Sequence, residues 1–538
     1  MKRSLLYFLA LLSGLLLALA WSQWVTGLIL LIAFIPVLII EDYLDKNRNH
    51  YGTLSIIPYS FFTFFVWNLL TTWWIAQVSI SGMLAAVIFT SALMTFVFWA
   101  FHFTKRLLGR SFGYFSLLVF WLTFEYYSIH SQLSWPWLNL GNGLAKDIPF
   151  VQWYEYTGIA GGSLWILLVN LAVYDVIRHY RLQSSSRDIM MRSLLAIIIT
   201  GFPMTTSLTR FKNYKNSEDP HQIVVLQPNI DPHKKYDDIP SEQQTGLLIH
   251  LADSLITPST EFVLAPETAI TSSVWLNDPL ANSSVNIIKE FVLAHPKVKF
   301  VVGAIAFKQY KDHEKIPQVA KRMPDKGKSY VTFNSALLID TSNRVQVYFK
   351  NKLVAGVERI PYPGIFGFMQ KLMIDLGGET GSYAIQENKG LFNQNAVSPE
   401  TATVICYESA YGEYISGFVR KGAGYVFIIT NDGWWKNQAG SLQHLRLASL
   451  RAVETRRSIA RSANTGISCF VNQKGEIFKK LDRNKRGAIS TQLDANDKLT
   501  FYVIHGDFIS RIARFFALIS VLYVISNLLM KKDKYGVR

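Results

Sequence analysis

The sequence predicts a polytopic α-helical membrane bundle of about eight transmembrane helices joined to an α/β layered domain. Three observations predict it. Long apolar runs crowd the first 208 residues and return near the carboxyl end. Basic residues gather in the short connections of one side, and about 280 residues between these regions alternate β-rich stretches with helical patterns. Composition agrees: half of the 538 residues are hydrophobic and 17% are charged, against about 25% charged in soluble domains.

Seven apolar spans lie at about 5–20, 24–40, 54–76, 82–103, 112–129, 162–179 and 192–208, and an eighth at about 508–530. Each approaches the roughly 17–25 residues that cross a hydrocarbon core. Trp21, Trp24, Trp73, Trp74, Trp135, Trp137 and Trp153 fall near their ends, where amphipathic rings prefer the headgroup level. The division expected is a seven-helix bundle over 1–209, an extracytoplasmic domain over 210–507, and a last helix with a basic tail over 508–538.

Charge sets the orientation. On one side lie Lys2, Arg3, Lys46, Arg48, Lys105, Arg106, Arg110, Arg178, Arg181, Arg187, Arg192, Lys531, Lys532, Lys534 and Arg538. The opposing connections, 77–81 and 130–161, hold only Lys146. Positive loops stay cytoplasmic, so both termini are expected inside and 210–507 outside. Those fifteen basic residues, set against Glu41, Asp42, Asp45, Asp188 and Asp533, supply +10 of the formal +16. The pI near 9.5 is therefore mainly a topology signal, and nucleic acid is set aside as a partner. Lys2-Arg3, the apolar stretch and Ala18-Leu19-Ala20 also fit a cleavable signal peptide; cleavage after Ala20 would leave every later span oriented as before.

Between His221 and about Leu499, strands are expected at Ile223–Leu226, Phe262–Leu264, Phe300–Ile305, Tyr330–Ile339, Arg344–Phe349, Thr403–Ile405, Tyr425–Thr430 and Ile467–Val471. Ser441–Thr455 reads as a helix, with Leu442, Leu445, Ala448 and Ala452 on one stripe. Lys308–Lys328 reads as a polar loop, and residues about 359–400 as a long excursion.

Three strand ends carry reactive side chains: Pro266-Glu267, Phe349-Lys350, and Ile405-Cys406 before an expected helix at Tyr411–Lys421. A cysteine exposed at such a turn would have its thiolate favoured by the helix start and a nearby lysine. The three suffice for acyl transfer: Glu267 as general base, Cys406 as nucleophile, Lys350 for the oxyanion. Singly, each has a plainer reading. A lone cysteine at a strand end is more often a small core residue, a lysine ending a hairpin is usually solvated, and a glutamate after proline usually caps a turn.

Their surroundings carry the weight. In series come Leu226-Gln227-Pro228-Asn229-Ile230, Pro266-Glu267, Phe333-Asn334-Ser335-Ala336, Lys350 with Leu353-Val354 and Glu358, Cys406-Tyr407-Glu408, and Thr430-Asn431-Asp432-Gly433-Trp434. Gln443-His444, Arg451-Ala452, Glu454 and Arg461–Gly466 continue it, and Pro136-Trp137-Leu138, Gly141 and Gly158–Asn170 add a membrane part. Over nearly its whole length the chain resembles the apolipoprotein N-acyltransferases, membrane-embedded members of the nitrilase superfamily. The resemblance implies a nitrilase-like αββα sandwich, a bacterial inner-membrane location with this domain on the periplasmic side, and a retained first helix. The family's triad falls on Glu267, Lys350 and Cys406, with Glu358, Tyr407, Glu408 and Tyr236 in support. Tyr236 stands where the family has tryptophan, and Ala355-Gly356-Val357 replaces the usual Pro-Phe-Gly before Glu358; the second change bears on loop shape and acyl-chain preference.

The implied reaction is ping-pong. Cys406 takes an acyl chain from a phospholipid, commonly phosphatidylethanolamine, and passes it to the α-amine of a diacylglyceryl-cysteine on an apolipoprotein. No metal or organic cofactor is implied. A membrane-tethered nitrilase-type amidase would use the same triad, with water in the second step, and a channel or receptor would keep only the fold. His444 reads as a packed histidine or a second base, and Cys469 as core. A Cys406–Cys469 disulfide would remove the nucleophile. Glu125 reads as a snorkelling residue or part of a lipid path, and Trp434-Trp435 as packing or pocket lining.

Overall fold

The computed structural model describes residues 1–311, 314, 316–317, 319–323, 328–362, 364, 383–385, 390–392, 399–435 and 438–535. It divides into two compact units: Met1–Asn213 with His505–Arg538, and Tyr214–Ile504.

In the first unit, six helices among the described residues are long and apolar enough to cross a membrane: Gly27–Lys46, Thr53–Gln77, Ile80–Leu108, Tyr154–Arg181, Ser186–Asn213 and Phe508–Met530. The spans expected at 5–20 and 112–129 fall on Arg3–Leu19, a shorter apolar helix, and on Arg110–His130. The second span is not continuous. It breaks at Phe34, two residues before Pro36, which has no N–H to give the preceding turn. Asn170 satisfies the freed groups, accepting from Phe34 N at 2.8 Å and donating to Leu30 O at 2.7 Å. Irregular backbone is tolerated at such depth only when its polar groups are paired in this way.

The membrane-part motifs pack on one another. Gly158 (φ 60°) breaks the Tyr154–Arg181 helix, and a Cβ on Gly141 would meet Ile159 O at 2.1 Å. Tyr154 donates to Gly141 O at 3.0 Å, and Gly141 N to Ser163 Oγ at 2.9 Å. Glu125 is buried and accepts from Leu140 N at 2.7 Å and Trp121 Nε1 at 3.1 Å. It anchors this loop rather than snorkelling. Elsewhere in the unit, Glu41 is buried between His102 (2.8 Å) and Lys105, as a buried charge must be paired.

The second unit contains thirteen described strands: β1 Pro220–Gln227, β2 Thr260–Leu264, β3 Ile270–Trp275, β4 Lys299–Gln309, β5 Lys321–Arg322, β6 Ser329–Ile339, β7 Gln346–Phe349, β8 Thr401–Ile405, β9 Tyr425–Thr430, β10 Ser458–Ala463, β11 Ser468–Val471, β12 Ile477–Leu481 and β13 Gly487–Asp494. One sheet runs β13-β1-β2-β4-β6-β5, with β3 beside β4 and β7 beside β6; the other runs β12-β11-β10-β9-β8. Strands β8, β9 and β10 are parallel and buried throughout, which is why β8 and β9 carry apolar runs. The sheets face each other. The Phe262 and Phe427 rings stand 5.2 Å apart, and Ser462 donates to Leu226 O at 2.8 Å.

Helices Ser241–Asp253 and Ser283–Ala294 cover one outer face, packing Leu248, Val285 and Ile288 on Val224, Val263 and Val302. Gly412–Val419 and Gln438–Thr455 cover the other. The domain is a four-layer αββα sandwich.

Several local expectations change. Strand β7 begins at Gln346 rather than Arg344, and Lys321–Arg322 within the expected polar loop pairs with β6. Strands β3, β10, β12 and β13 went unread, because polar residues break their β pattern: Arg461 and Ser462 in β10, Lys479 and Lys480 in β12. The expected excursion at 359–400 lies largely outside the described residues.

Candidate active site

The three reactive strand ends meet at the carboxyl edges of the two sheets, where α/β folds leave a crevice. Pro266 ends β2, and Thr268 takes φ +48° beyond Glu267. That value is a genuine outlier for a β-branched residue. Gly303 on β4 makes room for the turn, since a Cβ there would meet Thr268 N at 2.4 Å and Glu267 Cα at 2.6 Å. Lys350 follows β7 and keeps one more ladder bond, donating its N–H to Asn334 O at 2.8 Å. Cys406 follows β8 with φ +50° and opens the tight turn Cys406–Ala410. Backbone strain of this kind clusters at working sites.

The Lys350 ammonium donates to Glu267 Oε1 at 3.1 Å and Glu358 Oε1 at 2.8 Å. Asn334 Nδ2 donates to the same two oxygens, at 2.8 and 3.1 Å. Asn431 N, at the end of β9, holds Glu267 Oε2 at 3.0 Å. Burial opposes a charge on Lys350, but the two carboxylates outweigh it and hold the ammonium well above the usual lysine range. Glu358 comes back into the site through a tight turn in which Gly356 takes φ +78°, and Val354 N fixes its Oε2 at 2.8 Å. Ala355-Gly356-Val357 thus still delivers the carboxylate.

The Cys406 thiol lies within electrostatic reach of Glu267, Lys350 and Asp432, and near Thr430. Burial pushes it up, Glu267 pushes it further, and Lys350 opposes. Cys406 is partly exposed, but the shift reverses the expectation of a favoured thiolate. The α-helix starts only at Gly412, and Lys350 is already neutralised by two carboxylates. Cys406 and Cys469 are both free thiols.

The supporting residues divide by role. Glu408 is fully buried and accepts from Ile405 N (2.9 Å), Asn351 N (2.8 Å), Lys352 N (3.3 Å) and Tyr348 OH (2.7 Å). It clips the Cys406 turn to the Lys350 turn. Replacing it by Gln puts an amide NH₂ against some of those donors. Glu408→Gln is expected to cost about 1–3 kcal/mol of stability and, by loosening both turns, to lower activity beyond the loss of folded protein. Thermal unfolding beside turnover per folded molecule checks this, and normal specific activity refutes it. Tyr407 is buried, its ring 5.2 Å from Tyr411. Tyr236 is half-buried near Thr268, Glu267 and Glu358, and burial pushes its phenol up to about 12.

Asn334, Tyr383 and the Asn431 amide were not singled out from sequence. Asn334 and Asn431 stood inside quoted motifs, but nothing local marks an amide that reaches two carboxylates. Tyr383 N donates to Glu358 O at 3.3 Å.

Cys406, Asp432 and His444 place their ligand-type atoms within 4.8 Å of one another. They do not fit a metal ion. Asp432 is committed to the Arg461 guanidinium at 2.6 Å and to His444 Nδ1 at 3.0 Å, so a fixed cation already occupies the cluster. His444 Nε2 lies 2.8 Å from Ser409 Oγ and 3.0 Å from Cys406 O. The histidine therefore sits beneath the nucleophile turn, tied at both nitrogens. Trp434 and Trp435 stand against His233 and His444, with ring centroids 5.5 and 5.9 Å apart.

Residues 13–172 match the family model described as the apolipoprotein N-acyltransferase N-terminal domain, and residues 227–498 match that of the carbon-nitrogen hydrolases. The apolipoprotein N-acyltransferase of Chlorobaculum tepidum is 26% identical over 518 residues, 94% of each chain. That of Thermotoga maritima is 25% identical over 532 residues, covering 96% of this chain and 93% of the relative. Among solved structures, Nit3 of Saccharomyces cerevisiae, a nitrilase-superfamily member, covers 52% of this chain and 93% of its own, at 14% identity and a TM-score of 0.36.

Proposed function

The chain belongs to the carbon-nitrogen hydrolase family and, within it, to the apolipoprotein N-acyltransferases, and from that premise we propose that it acylates through a thioester on Cys406. It is a membrane protein and an acyltransferase of lipoprotein maturation, with a lipid acyl donor and a lipoprotein acceptor. The mechanism, the donor and the orientation are our reading. The observation that carries the mechanism is the convergence of Glu267, Lys350 and Glu358 beside Cys406.

In the first half-reaction Glu267 takes the thiol proton as sulfur attacks an ester carbonyl of phosphatidylethanolamine. Protonation removes one of the two counter-charges on Lys350, so its field on the developing oxyanion strengthens as that charge forms. The C–O bond breaks, Glu267 returns the proton to the leaving oxygen, and a lysophospholipid departs. In the second, the α-amine of a diacylglyceryl-cysteine attacks the thioester. Glu267 relays its proton to the leaving thiolate, and an amide forms.

Intact-protein mass spectrometry with phosphatidylethanolamine vesicles tests this. The expected result is one acyl adduct on Cys406, discharged by a diacylated lipopeptide. Release of ammonia from simple amides with no adduct would replace this reading by an amidase.

In this reading the nitrilase-like domain lies on the periplasmic side of the bacterial inner membrane, which the charge asymmetry supports. In a background lacking both native cysteines, a cysteine at exposed Lys297 should react with an impermeant maleimide in whole spheroplasts, and one at exposed Ser185 should not. The reverse pattern would overturn the orientation.

A further inference from the structure

The arm after β1 buries a lysine that the mechanism does not use. Lys235 is 1% exposed. Its Nζ donates to Glu267 O at 3.2 Å and to Thr268 Oγ1 at 2.9 Å, both neutral acceptors. Among the described residues no carboxylate receives it directly, although a buried ammonium is costly without a paired anion. The arm itself is held in place, since Gln244 Nε2 donates to Lys235 O at 2.6 Å.

These two bonds fall on the most strained point of the general-base turn. Thr268 is β-branched with φ +48° and is pressed against Gly303. Such a conformation persists only where its surroundings over-determine it. The neighbouring Tyr236 also lies near Thr268, so two consecutive residues of one arm converge on the residue that follows Glu267. Among the described residues, the titratable groups facing Lys235 are Glu267 across the turn and Tyr236 on its own arm; Gln244 and Thr268 are neutral.

We infer that Lys235 is a positioning residue for Glu267, whose hydrogen bonds hold the strained Glu267–Thr268 turn and whose charge favours the carboxylate form of the base. Burial lowers the lysine to about 7, with the Glu267 charge opposing. The electrostatic part of its action is therefore present below neutrality and fades above it, while its hydrogen bonds persist.

The inference rests on the thioester reading, and the test separates the two. Full-length protein in phosphatidylethanolamine vesicles is followed by intact mass, and the rate of Cys406 acylation is measured from about pH 5 to 9. Lys235→Met is expected to slow acylation about tenfold or more at pH 6, and to move the acidic limb about one unit upward. Lys235→Arg keeps a fixed charge and should leave the limb in place. Adding Thr268→Gly to Lys235→Met should recover part of the rate, because glycine adopts positive φ without penalty. If Lys235→Met does not fold, Thr268→Val, which removes only the hydroxyl acceptor, should still slow acylation at every pH. A normalised Lys235→Met profile that superimposes on wild type, no recovery with Thr268→Gly, or a wild-type rate in Thr268→Val would overturn the inference. Absence of any adduct on the wild-type protein would instead overturn the thioester reading.

Discussion

Cys406→Ala abolishes both the acyl adduct and the acylated lipopeptide, while the protein folds and inserts normally. The expectation is total because the sulfur is the atom to which the acyl chain is bonded between the two half-reactions. Cys406→Ser keeps the shape of the turn but offers a far less acidic hydroxyl, so it acylates slowly and does not turn over. Chemical reactivity should follow the same environment. Burial and the Glu267 charge hold the proton on sulfur, so the thiol stays neutral across physiological pH. Iodoacetamide should therefore alkylate Cys406 slowly at pH 7. Acylation should show no rise through the ordinary thiol range near pH 8–9, because deprotonation is coupled to Glu267 rather than preceding attack. A wild-type lipopeptide acylation rate in Cys406→Ala would remove the mechanism outright.

Lys350→Met carries the second largest effect, and it has two separable parts. Each tetrahedral state loses its ammonium, which costs about 10²–10³ in rate, as for the loss of one oxyanion donor. The resting protein also loses the ammonium that pairs with both Glu267 and Glu358, at 3.1 and 2.8 Å. Breaking a buried pair by removing one partner costs about 3–5 kcal/mol. Glu358→Gln added to Lys350→Met removes one of the two stranded carboxylates, so it should restore much of the stability and none of the rate. Thermal unfolding reads the first part and single-turnover acylation per folded molecule the second. If the double variant regains activity along with stability, Lys350 is a structural counter-ion and not the oxyanion donor.

The helical spans were legible because hydropathy over a window of about 20 residues is a local property. The break at Phe34 was legible only in part. Pro36 marks it, but its tolerance depends on Asn170, 136 residues away. In the second unit the buried parallel strands β8 and β9 announced themselves as apolar runs. Strand β10 did not, because Arg461 and Ser462 lie in it, their polarity answered by Asp432 and Leu226 O. Sequence spacing carried no sign that Glu408 would bridge two turns, since its four donors come from β7, β8 and the residues after Lys350.

By itself the sequence determined the division into apolar helices and an α/β domain, the side on which basic loops collect, and the order Glu267, Lys350, Cys406 at three strand ends. Each follows from residue type and short-range period. Only the tertiary structure decided the state of the groups at those ends. It set Lys350 between two carboxylates, made the Cys406 thiol hard to ionise where the turn alone implied the reverse, and buried Lys235 against the Glu267 turn. The reason is physical: ionisation and strain depend on desolvation and on charges a few ångströms away in space, and here those neighbours lie up to about 140 residues apart along the chain.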